Sequence, residues 1–150
     1  MAFWAASGSS ALFVALAMAG VRPGHEVITT PYTFDATMEA IVLLDAVPVF
    51  VDIRPEDLNI DPGRIEAAIT PRTRVIVVSH ITYITGLLTP VKELSEMAHR
   101  RGLLISVDGA HPPGMIQLDF HDMGCDHYAA AGQKWLLAGT GTGLAYFSQE

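Results

Sequence analysis

The chain has 150 residues, half of them hydrophobic and 17% charged, with a formal net charge of −7. That length suits one domain with a real core, since such a domain buries about 68–70% of the surface its unfolded chain exposes, and the composition argues against intrinsic disorder. With 16 acidic and 9 basic residues, it also argues against non-specific nucleic-acid or anionic-membrane binding, which needs clustered Lys and Arg.

In chain order, a first strand is expected over residues 2–6 and a helix over 10–19, stopped by Gly20 with Pro23 just beyond. A second strand follows at 26–30, a helix at 35–44 and a third strand at 47–51. Asp61-Pro62 reads as N-cap and first residue of a short helix ending before Pro71. Residues 75–79 form a continuous apolar run, as in a strand buried on both faces. Thr89-Pro90 opens a helix with Val91, Leu94 and Ala98 on one face, closed by Gly102. Strands at 103–107, 127–131 and 144–148 complete the set. Only a Gly-rich stretch separates the last two, so the final strand should run antiparallel. Strands alternating with helices predict a three-layer α/β/α fold around a mostly parallel seven-stranded sheet.

Cys125 is the lone cysteine, which rules out an internal disulfide and fits a reducing, cytoplasmic setting. The longest apolar run, 11–21, is too short to span a bilayer, and no basic segment precedes it as in a signal peptide.

Ligands of open α/β sheets bind outside the carboxyl ends of the parallel strands. Those ends carry Ser7-Gly8-Ser9-Ser10, Pro31-Tyr32-Thr33-Phe34, His80 through Gly86, Asp108-Gly109-Ala110-His111 and Gly132-Gln133-Lys134. The chain has only two lysines. Lys92 sits beside Glu93 on the polar side of a helix and reads as a solvated charge. Lys134 lies between Ala129-Ala130-Ala131-Gly132 and Trp135-Leu136-Leu137. Burial disfavours the charged form of an amine, and a neutral amine can form a Schiff base with an aldehyde; the alternative is a snorkelling surface lysine. Asp108 ends an apolar strand, where a carboxylate needs a partner: a protonated cofactor nitrogen, or a local cap. Ser7-Gly8-Ser9-Ser10 offers N–H groups, hydroxyls and a helix dipole to a phosphate, or is an ordinary N-cap. Phe34 could stack on a ring or fill the core. Asp119, His121, Asp122, Cys125, Asp126 and His127 lack metal-ligand spacing. No Walker A loop, dinucleotide fingerprint or G-x-S-x-G elbow is present.

Together these segments resemble the class V aminotransferases, within the fold type I enzymes that use pyridoxal 5′-phosphate. Val107-Asp108-Gly109-Ala110-His111, the spacing to Asp126, and Gly132-Gln133-Lys134-Trp135-Leu136-Leu137 are similar to that family's Schiff-base lysine region. Ser79-His80-Ile81-Thr82-Tyr83-Ile84-Thr85-Gly86 is similar to its Ser-His…Thr-Gly segment. Pro31-Tyr32-Thr33-Phe34-Asp35-Ala36-Thr37 and Pro48-Val49-Phe50-Val51-Asp52 resemble the sugar-aminotransferase branch. The resemblance implies that Lys134 carries the cofactor and moves the substrate's α-proton, and that Asp108 pairs with the pyridine nitrogen. It implies a phosphate site at Gly8, Ser9, Ser10 and Gln133, a stacking Phe34, His111 near the ring substituents or reacting carbon, and Tyr83 near the phenolic oxygen, where many members have Asn. It further implies amino-acid and oxo-acid substrates, a homodimer, and a longer enzyme of which residues 1–150 are the large, cofactor-binding domain, truncated at both ends. Desulfurase, epimerase and lyase chemistry are possible on the same scaffold. A non-catalytic module that binds the cofactor weakly or only associates with a partner is the competing reading.

Overall fold

A computed structural model describes residues 1–149. The strands are β1 (Ala2–Ala5), β2 (Glu26–Thr29), β3 (Val47–Phe50), β4 (Thr73–Ser79), β5 (Leu104–Asp108), β6 (His127–Ala131) and β7 (Gly143–Phe147). They form one sheet in the order β1-β7-β6-β5-β4-β2-β3. The β2–β3, β2–β4, β4–β5 and β5–β6 pairs are parallel, and β7 is antiparallel to both β6 and β1. Six strands therefore point one way and the last one opposes them, as expected.

The helices are α1 (Gly8–Met18), α2 (Asp35–Val42), α3 (Pro62–Ala68), α4 (Val91–Arg100) and α5 (Phe120–Met123). Strand alternation divides the core in two. Val27, Val75, Val77, Ala129 and Ala145 face α1 and α2, which supply Ala11, Leu12, Ala15, Leu16, Ala40 and Ile41. Ile28, Ile76, Val78, Ile105, Val107 and Tyr128 face the other way, onto Ile65 of α3 and Val91, Leu94 and Ala98 of α4. Successive side chains of a strand point to opposite faces, so an unbroken run such as Val75–Val78 serves both layers.

β4 begins at Thr73 rather than at residue 75 and α2 ends at Val42 rather than at 44; two further differences have a local cause. Helix α1 begins two residues early, at Gly8, because Ser7 and Ser10 form a reciprocal cap: Ser10 N donates to Ser7 Oγ, and Ser7 N to Ser10 Oγ. Helix α5 falls in a stretch read as a plain connection. Its four residues are capped by Asp119, whose carboxylate accepts from His121 N and Asp122 N, and closed by Gly124 at φ 63°. A single turn leaves no periodicity to detect. Pro48 lies in β3, an edge strand, where a missing N–H is tolerated.

Candidate active site

The parallel strands end at one edge of the sheet, and the loops leaving β1, β2, β4, β5 and β6 meet there. They enclose a cavity of about 390 Å³ lined by Ser7, Gly8 and Ser9, by Phe34, by Ser79 and Tyr83, by Asp108 and His111, and by Gln133 and Lys134. Of the nine residues singled out from the sequence, eight share this cavity. The exception is Ser10. Its hydroxyl donates to Ser7 O at 2.9 Å and it is spent in the helix cap rather than on the lining. The first N–H groups of a helix have no acceptor inside it, and those of Gly8 and Ser9 stand at the cavity wall.

Asp108 ends β5 beside Ser79 of β4, its register partner. Its Oδ1 accepts from Ala110 N at 3.1 Å, and Thr37 Oγ1 donates to Oδ2 at 3.0 Å. Thr33 Oγ1 lies 3.2 Å from Thr37 Oγ1 and 3.0 Å from Ser79 Oγ. An ionised carboxylate only accepts and each hydroxyl has one proton. The direction is thereby set: Ser79 donates to Thr33, Thr33 to Thr37 and Thr37 to Asp108. This relay holds the carboxylate still and keeps it supplied with donors. Thr33 and Thr37 lie in the Pro31–Thr37 segment, and their spacing of four residues is their one signal in the sequence.

Lys134 Nζ lies 3.2 Å from His111 Nε2 and 5.8 Å from the centre of the Phe34 ring. Burial first, and then the neighbouring Lys134, push the His111 imidazole below its ordinary range, while Asp108 pulls the other way. Phe34 meets Tyr83 edge to face at 6.1 Å between ring centres. Lys92 is on the opposite course: its Nζ donates to Asp122 Oδ1 at 2.5 Å on the surface.

His80 follows Ser79 and so turns to the other side of the sheet. Its Nδ1 lies 2.9 Å from the Tyr128 hydroxyl, and burial holds its pKa down to about 4. The carboxylates of the 119–126 stretch are engaged locally: Asp119 caps α5, Asp122 meets Lys92, and Asp126 Oδ2 takes Ile105 N at 2.7 Å and His99 Nε2 at 3.0 Å. Among the described residues no group of three or more His, Cys, Asp or Glu is placed to hold a metal ion. None of the described helices is long and apolar enough to cross a membrane.

A family model described as the DegT/DnrJ/EryC1/StrS aminotransferase family matches residues 2–125. The chain belongs to that family. The match is to an aminotransferase family and does not carry the class V label. Isopenicillin N epimerase of Amycolatopsis lactamdurans is 49% identical over 84 residues, covering 56% of this chain and 21% of that protein. L-glutamine:2-deoxy-scyllo-inosose aminotransferase of Streptomyces kanamyceticus is 40% identical over 120 residues, covering 80% of this chain and 27% of that protein. NtdA of Bacillus subtilis, solved with bound cofactor PMP, superposes at a TM-score of 0.84 with 27% identity, over 99% of this chain and 33% of that one. The chain thus spans about a quarter of the length of the curated relatives it matches.

Proposed function

We propose that this chain is the cofactor-binding part of a pyridoxal-phosphate enzyme that transfers an amino group from an amino acid to an oxo compound. The observation that carries the reading is the convergence of Lys134, Asp108, His111, Phe34 and the start of α1 on one cavity. The chemistry of that donor set fits the cofactor. Lys134 Nζ would hold the cofactor at its aldehyde, as a nucleophilic amine. Asp108, oriented by Thr37 and Ala110 N, offers an anion to the ring nitrogen. The Gly8 and Ser9 N–H groups, at the positive end of the α1 dipole, and Gln133 receive the phosphate. Phe34 supplies a ring face, and Tyr83 and His111 flank the opening. When bound, the cofactor supplies an electron sink for the bond broken at the amino-bearing carbon.

The chain's own residues then have defined tasks. The Lys134 amine would carry a proton to and from the substrate carbon as general base and acid. His111 touches the same nitrogen. Asp108 would hold a protonated ring nitrogen. The relatives that aminate a cyclitol ketone support an oxo sugar or cyclitol as acceptor. The epimerase relatives support a second reading, in which the proton returns to the opposite face of the same carbon. Both readings use the same residues, and the larger enzyme to which this domain would belong is expected to work as a homodimer.

The test is a pyridoxal phosphate titration followed by visible absorbance, then borohydride reduction and peptide mass mapping. With two lysines in the chain the map has one expected answer, an adduct on Lys134 that disappears in Lys134→Ala. No colour and no adduct would support the non-catalytic module instead. Amino acid deuterated at the α-carbon then separates the two chemistries. Transamination consumes the amino acid, whereas epimerisation returns it with inverted configuration.

A further inference from the structure

Trp135 had no part in the site read from the sequence, yet its indole Nε1–H donates to His111 Nδ1 at 3.2 Å. The other ring nitrogen, Nε2, lies 3.2 Å from Lys134 Nζ. The Trp135 contact fixes the sense of the ring. An indole N–H can only donate, and a neutral imidazole has one accepting nitrogen and one N–H. Trp135 takes the accepting nitrogen, so the ring proton resides on Nε2 and points at Lys134. An ammonium has three donors and no acceptor. An ammonium donating to Nε2 would require the proton on Nδ1, where it meets the Trp135 N–H head on, and an imidazolium meets the same conflict.

The backbone makes this arrangement repeatable. Leu137 N donates to Lys134 O at 3.1 Å and Ala138 N to Gly132 O at 3.0 Å, folding 132–138 so that neighbouring Lys134 and Trp135 reach one ring. The loop after His111 lies directly against this turn: a Cβ on Gly114 would come within 2.3 Å of Trp135 O, and Gly114 has φ +89°. Only glycine fits there.

We propose that Trp135 is a positioning residue: by occupying Nδ1 it locks His111 in the Nε2–H tautomer and aims that edge of the ring at Lys134 Nζ. The purpose of the device rests on the cofactor reading above; the tautomer itself belongs to the chain alone and is measured without cofactor.

The experiment is heteronuclear NMR on the full chain labelled in histidine, with the His111 resonances identified by their loss in His111→Gln. The expected result is Nε2 protonated and Nδ1 bare. Trp135→Phe removes the donor but keeps an aromatic ring at a half-exposed position, and the tautomer ratio should move toward Nδ1–H by about fivefold, the worth of one ordinary hydrogen bond. Trp135→Leu should do the same, which guards against an accident of one variant. The rate of borohydride trapping of pyridoxal phosphate on Lys134 should fall in both variants. A wild-type His111 protonated on Nδ1, or a ratio indifferent to both substitutions, overturns the proposal. The expected tautomers with no adduct on Lys134 in the wild type would uphold the lock and overturn the cofactor reading, so the two failures are distinguishable.

Discussion

Thr37 is 1% exposed, and its one proton goes to Asp108. Replacing it with Val deletes the last donor of the Ser79–Thr33–Thr37 relay and leaves a carboxylate oxygen short of a partner. Such a loss costs about 1–3 kcal/mol. Urea denaturation should show that cost for Thr37→Val, with most of it recovered in Thr37→Ser. The same pair of variants should weaken and then restore pyridoxal phosphate binding, because a carboxylate free to rotate is a poorer partner for a ring nitrogen. Lys134, Asp108, His111 and Phe34 were legible because each has a chemistry unusual for its place beside an apolar strand. Thr37 and Trp135 were not. A threonine inside a helix and a tryptophan in an apolar loop each have an ordinary use, and their partners lie 71 and 24 residues away in sequence. Ser10 failed in the opposite direction: its type and position suited an anion site, but its hydroxyl had a nearer acceptor in Ser7 O.

At the scale of elements, the site depends on strand ends that lie close together. Gly109 follows Asp108, and a Cβ there would fall 1.8 Å from a Tyr128 ring carbon. Tyr128 is fully buried and tied to His80, so the ring has nowhere to retreat. Gly109→Ala should therefore destabilise the fold by about 1–3 kcal/mol, as overpacking does, and displace Asp108. Paired measurements of thermal stability and cofactor affinity check both effects. In α1, Ser7→Ala removes the cap and should cost about 1 kcal/mol; retained stability would show that Ser10 and the packing of Ala11 and Ala15 suffice. The sequence marked most boundaries within two residues because Gly, Pro and the apolar runs punctuate it clearly. It missed α5, whose single turn is set by Asp119 and Gly124 rather than by any period, and it placed the α1 start late because a Ser-x-x-Ser cap is less distinctive than Ser-x-x-Glu.

At the scale of the whole molecule, two buried histidines link the fold to pH. Burial holds His80 down to about 4 against an ordinary value of 6.5, and it lowers His127 as well. Between pH 6.5 and 4 the unfolded chain therefore binds more protons at these sites than the native chain. Stability is fully present above pH 6.5 and falls as the pH drops through that window, by about 3 kcal/mol for His80 alone. Urea midpoints measured from pH 7.5 down to about pH 4.5 should show that fall. His80→Gln should be less stable at neutral pH but flatter across the window; an unchanged slope would remove His80 as its source.

Much of the architecture was written in the chain itself. Apolar runs of strand length alternating with capped helices force strands to be buried on both faces, and that requires parallel pairing with helices on either side. The short Gly-rich link before β7 forces the antiparallel ending. The residue types at the strand ends, a lysine, a carboxylate, a histidine and a helix start, pointed to the chemistry proposed for the site. Only the tertiary structure decided the strand order, with β1 returning to pair with β7, and it alone decided which strand-end side chains share a cavity. Period-two alternation sends Ser79 to the cavity and His80 away from it. Hydrogen bonds between residues distant in sequence then bring Thr37 to Asp108 and Trp135 to His111. Those contacts depend on register and approach distance, and no local pattern encodes either.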